Sequence, residues 1–259
     1  MPSIDLRAVR FGYKNARQKI EALHGVDLSV ADGEFVCVIG QSGCGKSTLL
    51  RLLAGLDMPD GGEISIGGQL VEGPGADRMI VFQDYALFPW LTAEKNISFA
   101  LSRAKRVPRA EAKRTAAEYL QRVGMSKAAD YYPCQLSGGM KQRVAIARAL
   151  AMDTDILLLD EPFGALDAKI RASLQELLLS LWTNDGGKKK TVVFVTHDIN
   201  EALILADRIV YMRPGKIAGD LRIDIPRPRR NVESSEEFGA YRRTLMRLLE
   251  GEDTEVAEL

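Results

Sequence analysis

Apolar positions along the chain follow two periods. From Ile4 to Phe11, from Val26 to Val30 and from Glu63 to Ile66 polar and apolar residues roughly alternate, and Gly67-Gly68 follows the third run; these read as antiparallel strands and hairpins. Phe35-Val36-Cys37-Val38-Ile39, Met79-Ile80-Val81-Phe82, Ile156-Leu157-Leu158-Leu159 and Thr191-Val192-Val193-Phe194-Val195-Thr196 are short unbroken apolar runs, the pattern of buried strands. Ile170, Leu174, Leu177, Leu178 and Leu181 fall at helical spacing, which predicts an amphipathic helix from about Ala168 to Trp182 packed on a sheet. Leu49 to Ala54 is a helical run that Gly55 ends, Arg109 to Val123 is strongly helical and stops at Gly124, and Phe238 to Leu249 predicts one short helix.

Strands alternating with helices imply an α/β chain with a mostly parallel sheet, while hairpins at Pro214-Gly215 and around Gly67 add antiparallel pieces. Residues 84–150 change character and read as a helical insertion, opened by Tyr85 to Leu91, an apolar stretch with Pro89 inside it. Lys188-Lys189-Lys190 reads as a solvated turn, and Gly12 to Arg17, which holds Tyr13, as a turn-rich stretch after the first strand. Beyond Pro226-Arg227-Pro228-Arg229-Arg230 the composition turns polar and ends in an acidic tail, Glu250 to Leu259, so this end is expected to be peripheral. The expected division is a single domain over 1–225, with a helical subdomain inserted at about 86–152, and a short partly helical extension over 226–259.

Composition narrows the class. With 46% hydrophobic residues in 259, the chain buries a sizeable core. Its 35 basic and 35 acidic residues cancel, so no overall field draws it to nucleic acid or to an anionic bilayer. Three cysteines, at 37, 44 and 134, form neither a metal pair nor a disulfide framework and fit a reducing cytosol. Met1-Pro2-Ser3-Ile4-Asp5 is no basic-then-apolar leader and the apolar runs are far short of a membrane span, which leads to the expectation of a soluble chain.

Candidate chemistry centres on Gly40-Gln41-Ser42-Gly43-Cys44-Gly45-Lys46-Ser47-Thr48, which meets G-x-x-x-x-G-K-[ST] between a buried strand and a helix. Glycines there allow consecutive N–H groups to converge on one anion, the helix start adds unpaired donors, Lys46 adds a full charge and the Ser47 hydroxyl suits Mg²⁺. A nucleoside triphosphate site also needs a carboxylate for the Mg²⁺ shell and a group that orients or deprotonates water, and Asp160 and Glu161 at the end of an apolar strand supply both. Gln83 and His197 also follow predicted strands, so four strand ends are candidates for one ligand crevice. Taken alone, a strand-end histidine such as His197 reads more often as structural than as catalytic, and His24 reads as structural only. Leu136-Ser137-Gly138-Gly139-Met140-Lys141-Gln142-Arg143 opens a helical run and forms a second anion nest.

On these residues the chain resembles the ATP-binding cassette (ABC) family, whose LSGGQ signature Leu136 to Met140 matches except at Met140. The resemblance implies a P-loop NTPase (RecA-like) core with an antiparallel β subdomain and an inserted α-helical subdomain, and it implies ATP with Mg²⁺. It casts Gly40 to Ser47 as the Walker A loop, Ile156 to Asp160 as the Walker B strand and Glu161 as the catalytic base. Gln83 becomes the Q-loop glutamine, His197 the switch histidine, Ala165-Leu166-Asp167 the D-loop, and Tyr13 the aromatic that stacks on adenine. Ser47, Gln83 and Asp160, the last through water, become the Mg²⁺ ligands. Gly164 stands where a serine often precedes the D-loop alanine.

The family mechanism implies two cassettes facing head to tail, the second being another copy or a paralogue, with the Ser137 loop of one closing on ATP held by the other. Tyr85, Leu87, Phe88 and Trp90 carry more apolar surface than a loop usually exposes, and are either core or covered by a partner; the resemblance makes them the contact for an integral membrane permease subunit. Phe82-Gln83-Asp84 with Pro89-Trp90-Leu91, Pro162 to Asp167 with Leu181-Trp182, and Arg227-Pro228-Arg229 resemble the nitrate, sulfonate and taurine importer branch. That implies a peripheral subunit on the cytoplasmic face of the inner membrane, served indirectly by an extracytoplasmic solute-binding protein, with no nucleic-acid partner. The chain's end soon after the cassette makes regulation through a second domain unexpected. The alternatives are a soluble cassette ATPase acting on nucleic acid or ribosomes, against which neutral charge and a single cassette argue, and a phosphate-binding module without hydrolysis, against which Glu161 and His197 argue.

Overall fold

The structure, a computed structural model, describes residues 2–14, 19–183, 189–229 and 232–250. In chain order the elements are β1 (Ile4–Lys14), β2 (Lys19–Val30), β3 (Phe35–Gly40), α1 (Lys46–Leu53), β4 (Gly61–Ile66), β5 (Gln69–Leu70), β6 (Arg78–Val81), α2 (Ala93–Ala104) and α3 (Arg109–Arg122). They continue with α4 (Gly138–Ala151), β7 (Ile156–Asp160), α5 (Ala168–Trp182), β8 (Thr191–Val195), α6 (Ile199–Leu205), β9 (Arg208–Arg213), β10 (Lys216–Arg222) and α7 (Glu236–Glu250). Two compact units emerge, one from residues 1–74 with 191–259 and one from 75–190.

The first unit holds two sheets. In the antiparallel order β2-β1-β4-β5, strand alternation buries one face, with Ile4, Leu6, Val9, Val26, Leu28 and Val30 inside. β1 runs on past Phe11 to Lys14, pairing Tyr13 with Ile20 of β2. Tyr13 therefore lies in a strand, not in the turn expected from Gly12 onward; β2, which begins at Lys19, supplies the ladder partners that local composition did not signal, and residues 15–18 lie outside the described set. The second sheet runs β10-β9-β3-β8, with β3 central, parallel to β8 and β9 and buried at all six positions. An unbroken apolar run is what a strand covered on both faces requires.

The C-terminal region is docked, contrary to the expectation of a peripheral end. Phe238, Tyr241, Leu245 and Leu248 form the buried stripe of α7, which packs on α6. Arg229 is buried and donates to the carbonyls of Leu203, Ala206, Ile223 and Ile225, at 2.6 to 3.1 Å. Burial, with the neighbouring Arg227 charge, pulls its guanidinium down to about 10, which still leaves it protonated at neutral pH. A polar composition thus conceals a side chain whose donors satisfy backbone acceptors. The acidic tail beyond Glu250 lies outside the described residues.

In the second unit β6 and β7 pair in parallel, with Val81 opposite Leu159. α2, α3 and α4 pack on one another, and α3 buries Leu120 with Ala112 and Ala116, two small residues that admit a close approach. α5 covers the span its spacing predicts. Lys190 departs from the solvated turn expected of the lysine run: its Nζ donates to Asp153 Oδ1 at 2.5 Å and to Thr154 O at 2.9 Å and its side chain is only 12% exposed, whereas Lys189 is exposed, with Nζ 4.4 Å over the Trp182 ring. Partners on the α4–β7 turn decide this for Lys190; Lys188 lies outside the described residues. Among the described residues no helix is long and apolar enough to cross a membrane.

Candidate functional site

In the first unit the glycine loop leaves β3 at Gly40 and enters α1 at Lys46. A Cβ at Gly40 would lie 2.5 Å from Met212 O and 2.8 Å from Cys44 Sγ. Gly45, the N-cap of α1, has φ +111° and would meet Leu23 and Ala22. Both positions exclude a side chain, so the loop closes tightly and its N–H groups stay with the start of the helix. Lys46 Nζ is buried under the loop and donates to Gly40 O at 2.8 Å and Gln41 O at 3.0 Å. The cation is thereby fixed where the loop's donors converge, with Ser47 exposed on the first turn.

Two predicted residues join this loop. Tyr13 shares a hydrogen bond of 3.0 Å between its hydroxyl and Thr48 Oγ1, stands edge-on to Phe11, and keeps 43% of its surface exposed, so the ring is fixed at one end and open over a face. β8 lies parallel beside β3 with Val38 opposite Val195, and Thr196 N donates to Val38 O, so His197, exposed, is the first residue off the ladder beside the end of β3. Gly40 and His197 thus leave neighbouring strands at the same edge, the position where open α/β sheets hold ligands.

The second unit repeats the arrangement. Val81 opposite Leu159 sets Gln83 beside Glu161, and Gln83 Nε2 donates to Glu161 Oε2 at 3.4 Å. Asp160, at the end of β7, is buried, whereas Glu161 is half-buried with a left-handed backbone (φ +45°). Such a conformation costs a non-glycine residue ~1–3 kcal/mol and needs its surroundings to hold it. Gln142 does so: buried on α4, it donates from Nε2 to Glu161 O at 3.1 Å and accepts from Ala165 N at 3.2 Å.

Ser137 caps α4, its Oγ accepting from Met140 N at 3.3 Å. Its own O–H stays a donor beside the first-turn N–H groups of Gly138 and Gly139, which have no acceptor inside the helix. Leu136 is buried beneath, and Met140 contributes its backbone. In 165–167 Leu166 is buried and Asp167 caps α5 through Ile170 N at 3.0 Å, so that carboxylate has a local structural partner.

Tyr85 and Ala86 take left-handed conformations in succession, and Arg148, buried on α4, donates to both carbonyls. Burial lowers its pKa. Fully buried Asn96 accepts from Phe88 N at 2.8 Å and donates to the carbonyls of Phe88, Leu91 and Thr92. On this frame Phe88 packs against Trp90 and Phe99, and Trp90 is 69% exposed, while Tyr85 and Leu87 are half-buried. The aromatic cluster thus leaves apolar surface open to solvent on a pinned loop. Sequence reasoning missed Gln142, Arg148 and Asn96 as functional supports; the available signal was a polar residue at a helical position whose neighbours three and seven residues on, as Ala145 and Ala149 are to Gln142, are apolar.

The donor chemistry fits Mg²⁺. Ser47, Gln83 and Asp160 each carry a hard oxygen, the donor type that Mg²⁺ takes alongside substrate phosphates and water.

Residues 23–164 match the sequence model described as "ABC transporter". The chain is 53% identical over 216 residues to a bicarbonate transport ATP-binding protein of Synechococcus elongatus, covering 82% of this chain and 32% of that protein. It is 48% identical over 236 residues to an uncharacterized ABC transporter ATP-binding protein of Methanocaldococcus jannaschii, covering 90% of this chain and 86% of that one. The chain thus spans about a third of the first relative and most of the second. The dimeric structure of an ATP-binding cassette in a post-hydrolysis state, bound to ADP and Pi, superposes with TM-score 0.79 and 38% identity over 85% of this chain and 98% of that one.

Proposed function

This chain belongs to the ABC transporter family, and on that premise we propose that it is the ATP-hydrolysing subunit of an import system. The observation that carries this reading is the pairing of strand ends: the Lys46 loop beside His197 on β3 and β8, and Gln83 bonded to Glu161 on β6 and β7. Each pairs a phosphate-binding or polarising group with one suited to the γ-phosphate or its attacking water.

In this reading the glycine loop and Lys46 hold the β- and γ-phosphates of ATP and Tyr13 stacks on adenine. Ser47, Gln83 and, through water, Asp160 would hold Mg²⁺, which would supply positive charge against the phosphates. Glu161 accepts the proton of the attacking water, its carboxylate oriented by Gln83 and its backbone by Gln142. His197 donates to a γ-phosphate oxygen. Ser137 and the first turn of α4 supply a second set of donors, which serve ATP on another cassette placed head to tail; that the structural relative is a dimer bound to ADP and Pi supports a paired cassette. Two nests and Lys46 then neutralise a triphosphate that either nest alone leaves in excess.

The Phe88–Trp90 cluster is the surface for a helix of a separate membrane permease, and the subunit sits at the cytoplasmic face of the membrane. The transported solute is a small compound of the nitrate, sulfonate, taurine or bicarbonate kind, the last supported by the similarity to a bicarbonate transport ATP-binding protein. Light scattering tests the assembly: Glu161→Gln with ATP is expected to form a dimer that Ser137→Arg abolishes, and a chain that stays monomeric under these conditions contradicts it.

A further inference from the structure

His197 is the first residue beyond the β3–β8 ladder, on a segment of only two residues before α6 begins. Its position depends on what holds that segment. Thr196, fully buried, donates from Oγ1 to Glu201 Oε2 at 2.8 Å and accepts from Asp198 N at 3.0 Å. One hydroxyl therefore ties the residue before His197 to the residue after it and to the helix beyond. Asp198 Oδ1 caps α6, accepting from Asn200 N at 2.8 Å and Glu201 N at 3.3 Å.

α6 has seven residues, too short to stand without outside support. Its C-terminal carbonyls are satisfied from the docked C-terminal segment: Arg229 donates to Leu203 O and Ala206 O, and Arg227 to Leu205 O. Arg227 also pairs with Asp207. Clamped at both ends, α6 gives Glu201 a fixed place, and Glu201 is 5% exposed. A carboxylate this buried persists only where its acceptor capacity is used, and the Thr196 hydroxyl is one such use.

We propose that Thr196 and Glu201 form a positioning pair for His197, a buried hydroxyl–carboxylate lock that sets the imidazole at the end of β8 for ATP hydrolysis. It rests on the reading of His197 as the γ-phosphate contact. Both side chains are buried and act through the backbone on either side of the histidine. The pair deepens the site inward from the sheet edge to α6, and it links the C-terminal segment to the histidine through one short helix.

Steady-state ATP hydrolysis and thermal unfolding of the purified full chain test it. Thr196→Val, which keeps the shape and removes the hydroxyl, is expected to lower kcat about tenfold or more with KM for ATP within about threefold. Glu201→Ala is expected to fall equally, while Glu201→Gln, whose amide oxygen still accepts from Thr196, returns to within about threefold of wild type. In a His197→Ala background Thr196→Val is expected to change kcat by less than about twofold, because the group it positions is gone. A wild-type kcat in Thr196→Val, or an undiminished loss in the His197→Ala background, overturns the lock while leaving the ATPase reading in place. A wild-type chain without ATPase, or His197→Ala with full kcat, overturns the reading on which the lock rests.

Discussion

Replacing Gln142 by leucine isolates the support of Glu161 from its chemistry. The substitution nearly conserves volume and removes two hydrogen bonds, the 3.1 Å donation to Glu161 O and the 3.2 Å acceptance from Ala165 N. Glu161 O keeps a donor in Gly164 N at 3.3 Å, so the orphaned group is the Ala165 N–H. One lost bond costs ~0.5–1.5 kcal/mol net and an unpaired N–H ~1–3 kcal/mol, from which the leucine recovers ~1 kcal/mol by apolar burial. A net loss of ~1–3 kcal/mol lowers Tm by ~2–12 °C for a domain of this size. The larger consequence is kinetic: Glu161 sits at φ +45°, a strain of ~1–3 kcal/mol that drives it away once the anchor is gone. A general base displaced by ~1 Å loses up to ~10²-fold. Phosphate release at saturating ATP is therefore expected to fall about 10- to 100-fold, with KM within about threefold. A Tm drop of the stated size with unchanged kcat would refute the argument that Gln142 sets the carboxylate.

Asn96→Ala removes four hydrogen bonds from the 88–92 loop and is expected to lower stability by ~2–4 kcal/mol in urea unfolding; a loss under ~1 kcal/mol would mean the loop holds itself. Cys37 is buried, with its thiol pushed up chiefly by that burial, Cys44 is buried and Cys134 is exposed, so brief alkylation of the native chain at neutral pH should add one label and the unfolded chain three by mass spectrometry. Asp60 accepts from Lys19 and from Gly12 N, which hold its carboxyl below the ordinary 3.8. A lowered folded pKa stabilises above the unfolded value and is lost as pH falls through the folded one; the stability gap between wild type and Asp60→Asn should be level near neutrality and shrink below about pH 4.

α5 appears over the predicted span because its period was long and unmixed, and the glycine loop lies between strand and helix because glycine and apolar runs punctuate locally. Tyr13 was misplaced because strand extension is decided by a partner, here Ile20, and not by local composition. α6 left no signal: seven residues hold two turns, and its order comes from Asp198 at one end and arginines more than 20 residues away at the other. Arg229, Gln142, Arg148 and Asn96 look like surface side chains until the backbone groups they satisfy are brought to them. At the candidate site the residue types were legible, whereas the bonds that hold Glu161 and His197 in place depend on contacts distant in sequence.

The most direct test of the ATPase reading is phosphate release by wild type and Glu161→Gln at saturating ATP and Mg²⁺, with ATP affinity measured on the same samples. The substitution keeps the shape and an acceptor for Gln83 while removing the base. Wild-type turnover is expected to fall by about 10²–10⁴-fold, with ATP affinity within about threefold. Hydrolysis by Glu161→Gln at the wild-type rate, or ATP affinity lost together with turnover, would contradict it.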